Sequence, residues 1–317
     1  MATAIDLPLE ALRPEKPSGP LTWPAAIWKF VRRKPLGGIG LIIIVLMVIA
    51  ALFVDLRLFG SDAPLLAISH YNDQEFGAEN QGMSWSHPFG TDQLGRDIYS
   101  RILYGARISL VIGLLTVGFV GMLSLLIGTV SGYFGAWTDT VIQRIVDVFL
   151  AIPAIVLLLF GLSVFAPTAG PYESMFWIIT FLTIIITAAS VRVVRSAAIA
   201  TNANQYVDAA RALGATHTRI IARHIVPNTI PVVIVLSTLQ LGAVILAEAS
   251  ISFLGYGIRD PFPSWGAMLS LNATSQFRAF PEQAIWPGLA IALAVYGFNM
   301  FGDALRDVLD PRLRGSR

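Results

Sequence analysis

Six apolar segments, each about as long as a bilayer is thick, constrain the fold of this chain more than any other feature. They cover residues 36–54, 108–134, 145–164, 175–189, 229–253 and 285–301. A helix of about 20 residues crosses the hydrocarbon core, and a helix satisfies all its backbone hydrogen bonds within itself. The sequence therefore predicts an all-α integral membrane protein with six transmembrane helices.

The composition agrees with this prediction and excludes several classes of function. Charged residues make up 13% of the chain, about half the share in a soluble domain. A net charge of +2 is too small to indicate a nucleic-acid partner. The absence of cysteine excludes disulfides and thiolate chemistry. The four histidines have no close ligand spacing, so the sequence predicts no metal site.

The chain also lacks the means to hydrolyse ATP. Its three lysines are Lys16, Lys29 and Lys34, and none follows a glycine, so no phosphate-binding P-loop is present. We therefore expect the chain itself to be no enzyme and to hold no cofactor. If ATP drives it, another chain hydrolyses the ATP.

Charge patterning predicts the orientation. Cations cluster before the first apolar segment, and residues 57–104 carry six acidic and three basic side chains. By the positive-inside rule the N-terminus is cytoplasmic, and six crossings return the C-terminus to that side. We expect a flexible cytoplasmic tail over 1–26, then an interfacial segment, the first span and an external segment over 27–104. Five spans occupy 105–304, and 305–317 form a cytoplasmic tail.

A polar stretch, residues 196–228, separates the fourth and fifth spans. It reads as two short helices, with Asn204 and Thr216 as candidate caps, Gly214 ending the first and Pro227 limiting the second. Its arginines place it in the cytoplasm. One interpretation is a basic loop that lies on the membrane surface.

The spacing within this stretch favours a second interpretation. Asp208-Ala209-Ala210, Gly214 with nine residues between it and His224, and Pro227 resemble the cytoplasmic "EAA" loop of ABC-transporter permeases. Asp208, His224 and Val226 replace the usual Glu, Ile and Leu. The resemblance implies that the loop docks on an ATPase subunit. The candidate coupling residues are Asp208, Ala209, Ala210, Gly214, Arg219, His224 and Pro227.

A second motif lies in the external segment. The run Gly-Thr-Asp-x-x-Gly-Arg-Asp from Gly90 to Asp97 resembles a signature of the dipeptide/oligopeptide/nickel branch of ABC permeases. We expect Asp92, Arg96 and Asp97 to pair among themselves. They form either a capped turn that leads into a helix, or part of a docking or gating surface. Residues 247–257, 263–269 and 302–314 resemble the same branch.

Two polar residues lie within predicted spans. Glu248 is close to the outer end of the fifth span, where it would be easy to hydrate, and Asn299 lies on the sixth. An intramembrane carboxylate suggests function. A structural role for Glu248, by capping or by pairing with an arginine, and a role in a pathway or gate both stay open. Asn299 is expected to face the bundle or a cavity.

The resemblance implies a type I ABC importer permease fold, with one helix added before a core of five. It also implies a second homologous permease subunit, two ATPases that bind ATP and Mg²⁺, and an extracytoplasmic substrate-binding protein. The location implied is a bacterial or archaeal cell membrane, with lipid around the helices. The implied substrates are di- and oligopeptides, with nickel chelates or another small solute as the alternative.

Two other classes compete with this interpretation. A self-contained secondary transporter usually has several ionisable groups near the midplane and internal repeats, but only Glu248 is a candidate and no repeat is evident. An intramembrane enzyme would need a metal set, a Ser/His arrangement or an Asp pair within the spans, and none is visible.

Overall fold

The computed structural model describes residues 28, 30–32, 34–55, 61, 63–166, 170–273 and 278–309. Throughout these residues the regular elements are helices, apart from two isolated bridges, Asp55–Pro64 and Thr91–Asp97. The predicted tail over 1–26 and most of the predicted tail over 305–317 lie outside the described residues. The all-α fold class is confirmed.

Within the described residues, ten α-helices are numbered in chain order. They are α1 Pro35–Phe53, α2 Ile98–Phe134, α3 Ala136–Ala151, α4 Ala154–Phe165, α5 Pro171–Asn202, α6 Gln205–Ala212, α7 His217–Ile220, α8 Val226–Phe253, α9 Trp265–Ala273 and α10 Glu282–Leu309. A π-helical turn, Ile221–Ile225, joins α7 to α8.

Five of the described helical paths are long and apolar enough to cross a membrane. They are α1, α2, α5, the continuous path from α7 through α8, and α10. The pair α3–α4 gives a sixth path if it is counted as one span, but it bends by 84°. The prediction of six membrane helices is confirmed when α3–α4 is counted as one span, and the break in that span lies at Pro153, where the sequence predicts a kink. Pro153 has no N–H with which to extend α3, so α3 ends at Ala151 and α4 begins at Ala154, directly after the proline.

The connection between α2 and α3 is shorter than the sequence suggests. Gly135 alone separates them, at φ +63°, a conformation that glycine adopts at little cost. Two ion pairs, Asp139–Arg195 and Asp147–Arg192, then attach α3 to α5. Thus α3 is held against the last turns of α5.

Small residues allow α2 and α5 to pack closely. A β-carbon added at Gly128 would lie 2.8 Å from the β-carbon of Val194, and one at Gly132 would lie 2.7 Å from that of Ala198. The small-xxx-small spacing of Gly128 and Gly132 therefore marks a real helix contact. This contact brings the C-terminal ends of both helices together.

Helices α1 and α10 pack antiparallel, and glycines again allow the close approach. A β-carbon at Gly40 would lie 2.6 Å from the carbonyl oxygen of Gly297, and Lys34 Nζ donates to Asp307 at 2.6 Å. The start of α1, the end of α10 and the ends of α2 and α5 share one end of the bundle. Because that end also carries residues 203–225, it is called the loop end.

The opposite end carries residues 63–97, called the platform, and the helix α9. The sequence predicts only a loop over 257–284, but α9 lies within it. A β-carbon at Gly266 would lie 2.1 Å from the carbonyl oxygen of Ala249, so α9 packs directly on α8. Trp265 Nε1 donates to the carbonyl of Ile102 at 3.0 Å, which joins α9 to α2.

Candidate functional site

The loop between α5 and α8 folds as the two short helices that its turn residues predict. Gly214 stands at φ +79° just after α6, and its N–H and that of Ala215 donate to the carbonyls of Arg211 and Ala210. Such bonds satisfy the free carbonyls at a helix C-terminus. Thr216 Oγ1 accepts from Arg219 N at 3.4 Å, as a cap of α7.

Two details of this loop differ from the sequence prediction. The Asn204 side chain makes no capping bond to α6 and instead donates to the carbonyl of Thr201 at 3.0 Å. Pro227 does not end the second helix, because the chain passes through the π-helical turn into α8, where Val226 N donates to Ile221 O. Proline is tolerated in the first turn of a helix, where its missing N–H is not needed.

The base of the loop is a small apolar cluster, formed by Tyr133, Ala198, Val207, Ile220 and Ile225. Val207 and Ile225 are fully buried. The cluster contains one residue from α2, one from α5, and three from the loop itself. The loop is therefore packed directly against the ends of α2 and α5.

A polar link supplements this packing. The hydroxyl of Tyr133 and His217 Nδ1 lie 2.8 Å apart and share a hydrogen bond. The Arg211 guanidinium lies over the Tyr133 ring, 5.7 Å from its centroid, and donates to Asn202 Oδ1 at 2.5 Å. The link thus joins both short helices of the loop to the C-terminal ends of α2 and α5. Neither Tyr133 nor His217 belongs to the loop motif, although an aromatic residue at a helix end is a signal that could have pointed to Tyr133.

The outer face of the loop is open. Asp208, Ala209, Gly214, Arg219 and Pro227 are exposed, whereas Ala210 and His224 are half-buried. Asp208 pairs with Arg211 at 2.9 Å, and the His224 ring lies 5.9 Å from that of Tyr206. Leu213, which the motif does not include, is 88% exposed at the tip.

At the opposite end, four charged side chains form a largely buried network. Arg96 donates to Asp92 Oδ2 and to Asp260 Oδ1, both at 2.8 Å, and Arg101 donates to Asp260 Oδ1 at 3.2 Å. Both arginines and Asp92 are buried. The predicted pairing of Asp92 with Arg96 is confirmed, and Asp260 is the partner that the local motif could not reveal.

Asp97 takes the capping role that is one of the two predicted alternatives for this motif, and not the predicted pairing with Arg96. It caps α2, and its Oδ2 accepts from the backbone N–H of Ser100 at 2.7 Å and from the Ser100 hydroxyl at 2.6 Å. Its Oδ1 lies 3.1 Å from His87 Nδ1. Asp97 therefore does not pair with Arg96; it fixes the point at which the platform enters the membrane helix.

Glu248 is buried rather than hydrated, with 1% of its surface exposed. Its oxygens accept from the hydroxyls of Ser252 at 2.7 Å and Ser109 at 3.3 Å, and Ser264 also hydrogen-bonds to it. The expectation of easy hydration is wrong, because α2 and α9 cover the carboxyl group. These partners are hydroxyls rather than an arginine, and they join α8 to α2 and to the start of α9.

Asn299 lies on α10, beside α8. Its Oδ1 would be 3.0 Å from a β-carbon added at Gly242, and its side chain lines an open groove of about 340 Å³ with Leu246 and Tyr296. Asn299 therefore faces a groove on the side of the bundle, as one of the two predicted settings requires. Glu248 does not line this groove.

Together these features define a multi-pass membrane protein with a folded polar loop at one end of its helix bundle. Residues 124–315 match the family described as the binding-protein-dependent transport system inner membrane component, and residues 23–82 match the N-terminal transmembrane domain of oligopeptide transport permease C. The chain belongs to this family of ABC-transporter permeases, and it is a multi-pass inner-membrane protein.

Individual relatives cover most of the chain. A dipeptide transport system permease protein of Alkalihalophilus pseudofirmus is 38% identical over 90% of this chain and 89% of its own length. A glutathione transport system permease protein of Pectobacterium atrosepticum is 39% identical over 74% of this chain and 76% of its own. A solved inward-facing structure of the MetNI methionine ABC transporter covers 67% of this chain and 98% of its own, with a TM-score of 0.54 and 16% identity. This likeness shows the importer permease fold.

Proposed function

We propose that this chain forms half of the translocation pathway of a binding-protein-dependent importer of di- and oligopeptides. A second homologous permease forms the other half, two separate ATPases hydrolyse ATP, and an extracytoplasmic binding protein delivers the substrate. The relatives named for dipeptide and glutathione transport support peptides as the substrate class. The chain itself performs no covalent chemistry.

The observation that carries the proposal is the architecture of the 203–225 loop. It is folded, its outer face is exposed, and its base is packed into the ends of α2 and α5. A partner that binds the outer face of the loop can therefore move α2 and α5. In this proposal the loop end is cytoplasmic, and so are both termini.

The seven candidate coupling residues divide into two groups in this mechanism. Those with exposed side chains or backbone contact the ATPase: Asp208, Ala209, Gly214, Arg219 and Pro227. Ala210 and His224, which are half-buried, hold the loop in shape. Leu213 presents an exposed apolar side chain at the tip, and covering it on the partner would remove apolar surface from water.

The transport cycle follows from differential binding. Closure of the ATPase pair on ATP favours one packing of the helix bundle, and release of ADP and phosphate favours the other. Asp92, Arg96 and Asp97 hold the platform against the bundle through both states. Glu248 ties α9 to α8 and α2, so that α9 moves with these helices, while Asn299 presents a polar group toward the groove between α8 and α10.

The test is uptake of labelled di- and oligopeptides into proteoliposomes that contain the complete complex, with binding protein outside and ATP inside. We expect ATP-dependent accumulation that is lost when the binding protein is omitted. No accumulation of any peptide, with ATPase activity intact, would contradict the peptide assignment and direct the next assay to nickel chelates.

A further inference from the structure

An open groove of about 420 Å³ runs between α1 and α2. One of its lining residues is charged, Arg107, and all the others are apolar. The groove therefore combines a hydrocarbon-like wall with a single cation. The lining residues are Val48, Ala51 and Leu52 of α1 and Arg107, Leu110, Val111 and Leu114 of α2.

The cation stands at the platform end of the groove. Arg107 pairs with Asp55, which lies just beyond the end of α1 and forms a backbone bridge with Pro64 of the platform. Because the 19 residues of α1 match the thickness of a bilayer core, the end of α1 marks the membrane boundary. From Arg107 the groove follows α2 as far as Leu114, a helix length of about 10 Å. The cation is thus near the bilayer surface, and the apolar wall extends toward the middle of the membrane.

The guanidinium of Arg107 is held in place and still has donors to offer. Its Nε donates to the carbonyl of Ala51 at 2.7 Å, and its two terminal nitrogens donate to the Asp55 carboxylate at 3.1 and 2.9 Å. A guanidinium carries five N–H groups, so these contacts leave two of them over. The Asp55 side chain is 0% exposed, whereas that of Arg107 is 25% exposed. Although the pair is neutral overall, it presents its cationic member to the groove.

We propose that this groove binds a phospholipid from the leaflet at the platform end, with the lipid phosphate on Arg107 and one acyl chain along the apolar wall. Arginine N–H groups are suited to phosphate oxygens, and every phospholipid carries its phosphate near the bilayer surface and its chains toward the middle. A transmembrane helix of another subunit is the competing occupant, but it would need an acceptor at this one depth. Both helices also present large exposed apolar side chains, among them Ile49 and Leu115, as a lipid-facing surface does. The site does not depend on which substrate the protein carries.

The first test locates the acyl chain. The complete complex is placed in nanodiscs that contain phosphatidylglycerol with a diazirine on one chain, and after illumination the labelled residues are found by mass spectrometry. We expect labelling concentrated on the groove walls in wild type, and most of it lost in Val111→Trp, which fills the groove. The control is Leu115→Trp, because Leu115 is exposed on the same helix but does not line the groove. Equal labelling of the groove walls in Val111→Trp and wild type would overturn the proposal.

The second test concerns the phosphate. Diacylglycerol with the same diazirine chain lacks a phosphate, so it should label the groove of the wild type less than phosphatidylglycerol does. The double variant Asp55→Asn/Arg107→Gln removes the cation together with its counter-charge, which leaves no buried charge unpaired. We expect this variant to label equally with both lipids. Equal labelling by both lipids in the wild type would overturn the role assigned to Arg107.

The third test identifies the occupant from the protein side. The chain contains no cysteine, so Val111→Cys can carry a benzophenone maleimide at one defined position of this chain. We expect illumination of the complete complex in nanodiscs to add the mass of a phospholipid to the peptide that contains residue 111. A cross-link from residue 111 to another protein subunit would assign the groove to a subunit interface and overturn the proposal.

Discussion

Gly214 combines a backbone conformation that favours glycine with a position on the surface proposed to contact the ATPase. At φ +79°, with no atom within 4 Å of an added β-carbon, it faces open space that a partner can occupy. Gly214→Trp should therefore lower ATP-driven uptake by roughly tenfold or more, by blocking the ATPase as well as by straining the turn at about 1–2 kcal/mol.

Two further variants separate bulk from strain in this experiment. Gly255 ends α8 with the same pair of backbone bonds and φ +83°, so Gly255→Trp carries the same strain far from the loop. Gly214→Asn keeps the left-handed turn at lower cost, because asparagine tolerates that conformation. Full uptake and normal ATPase retention by Gly214→Trp would refute the coupling assignment.

Asp92 is a buried charge that should contribute strongly to the stability of the platform end. It accepts from the backbone of Leu94 and from both the backbone and the guanidinium of Arg96. Asp92→Ala leaves Arg96 buried with Asp260 as its remaining carboxylate partner, so the cost should approach the lower end of the roughly 3–5 kcal/mol seen when a buried pair loses one member. We expect a clear fall in the melting temperature of the purified complex, and almost none for the exposed Glu79→Ala. Equal melting temperatures for the two variants would show that the network is solvated.

At the scale of helices, the Tyr133–His217 hydrogen bond should act as a coupling element. Tyr133→Phe removes the hydroxyl but keeps the ring in the apolar cluster. Losing one such bond costs about 1 kcal/mol, so we expect uptake to fall roughly fivefold while ATP hydrolysis continues. Tyr172→Phe, an exposed tyrosine at the other end of the bundle, serves as the control. A parallel fall in uptake and ATPase activity would instead indicate a purely structural role.

The contact between α2 and α5 gives a second prediction at this scale. Gly132→Ala places a β-carbon 2.7 Å from both Ala198 Cβ and the Arg195 carbonyl, and overpacking of this kind costs about 1–3 kcal/mol. The melting temperature should fall, and Ala198→Gly should restore part of it. Gly118→Ala on the same helix meets no atom within 4 Å and should not destabilise. An unchanged melting temperature for Gly132→Ala would mean that α2 and α5 can move apart at little cost.

The elements of the fold were predictable to different degrees, for physical reasons. Apolar length identified the spans because the bilayer sets it, and glycine and threonine marked the ends of α6 and α7 through local backbone bonds. The bend between α3 and α4 was foreseen only as a kink at Pro153. The helix α9 was missed, because its Gly- and Ser-containing sequence resembles a loop until α8 and α10 pack against it.

In the candidate sites, contacts between residues close in sequence were predictable and contacts between distant residues were not. The turn around Gly214 and the pairing of Asp92 with Arg96 depend on residues close in sequence, so spacing was enough to predict them. The partners of Glu248 and Arg96 include Ser109 and Asp260, which are 139 and 164 residues away. No local pattern contains such contacts, since they arise only when the helices assemble.

For the whole molecule, the decisive prediction concerns orientation in the membrane. The contacts of α1 with α10 place the beginning of one and the end of the other at the loop end. The loop itself carries Arg211, Arg219 and Arg223 against Asp208, and cations concentrate on the cytoplasmic side. The platform should therefore face outward and the loop inward.

The cysteine-free sequence makes this orientation directly measurable. Leu213→Cys and Trp85→Cys each replace a side chain that is almost fully exposed, at opposite ends of the bundle. In intact spheroplasts an impermeant maleimide should label residue 85 and spare residue 213, and permeabilisation should make residue 213 reactive. Labelling of residue 213 in sealed spheroplasts would place the loop outside. In that case a cytoplasmic ATPase could not reach the loop, so this one measurement tests the geometric premise of the proposed function.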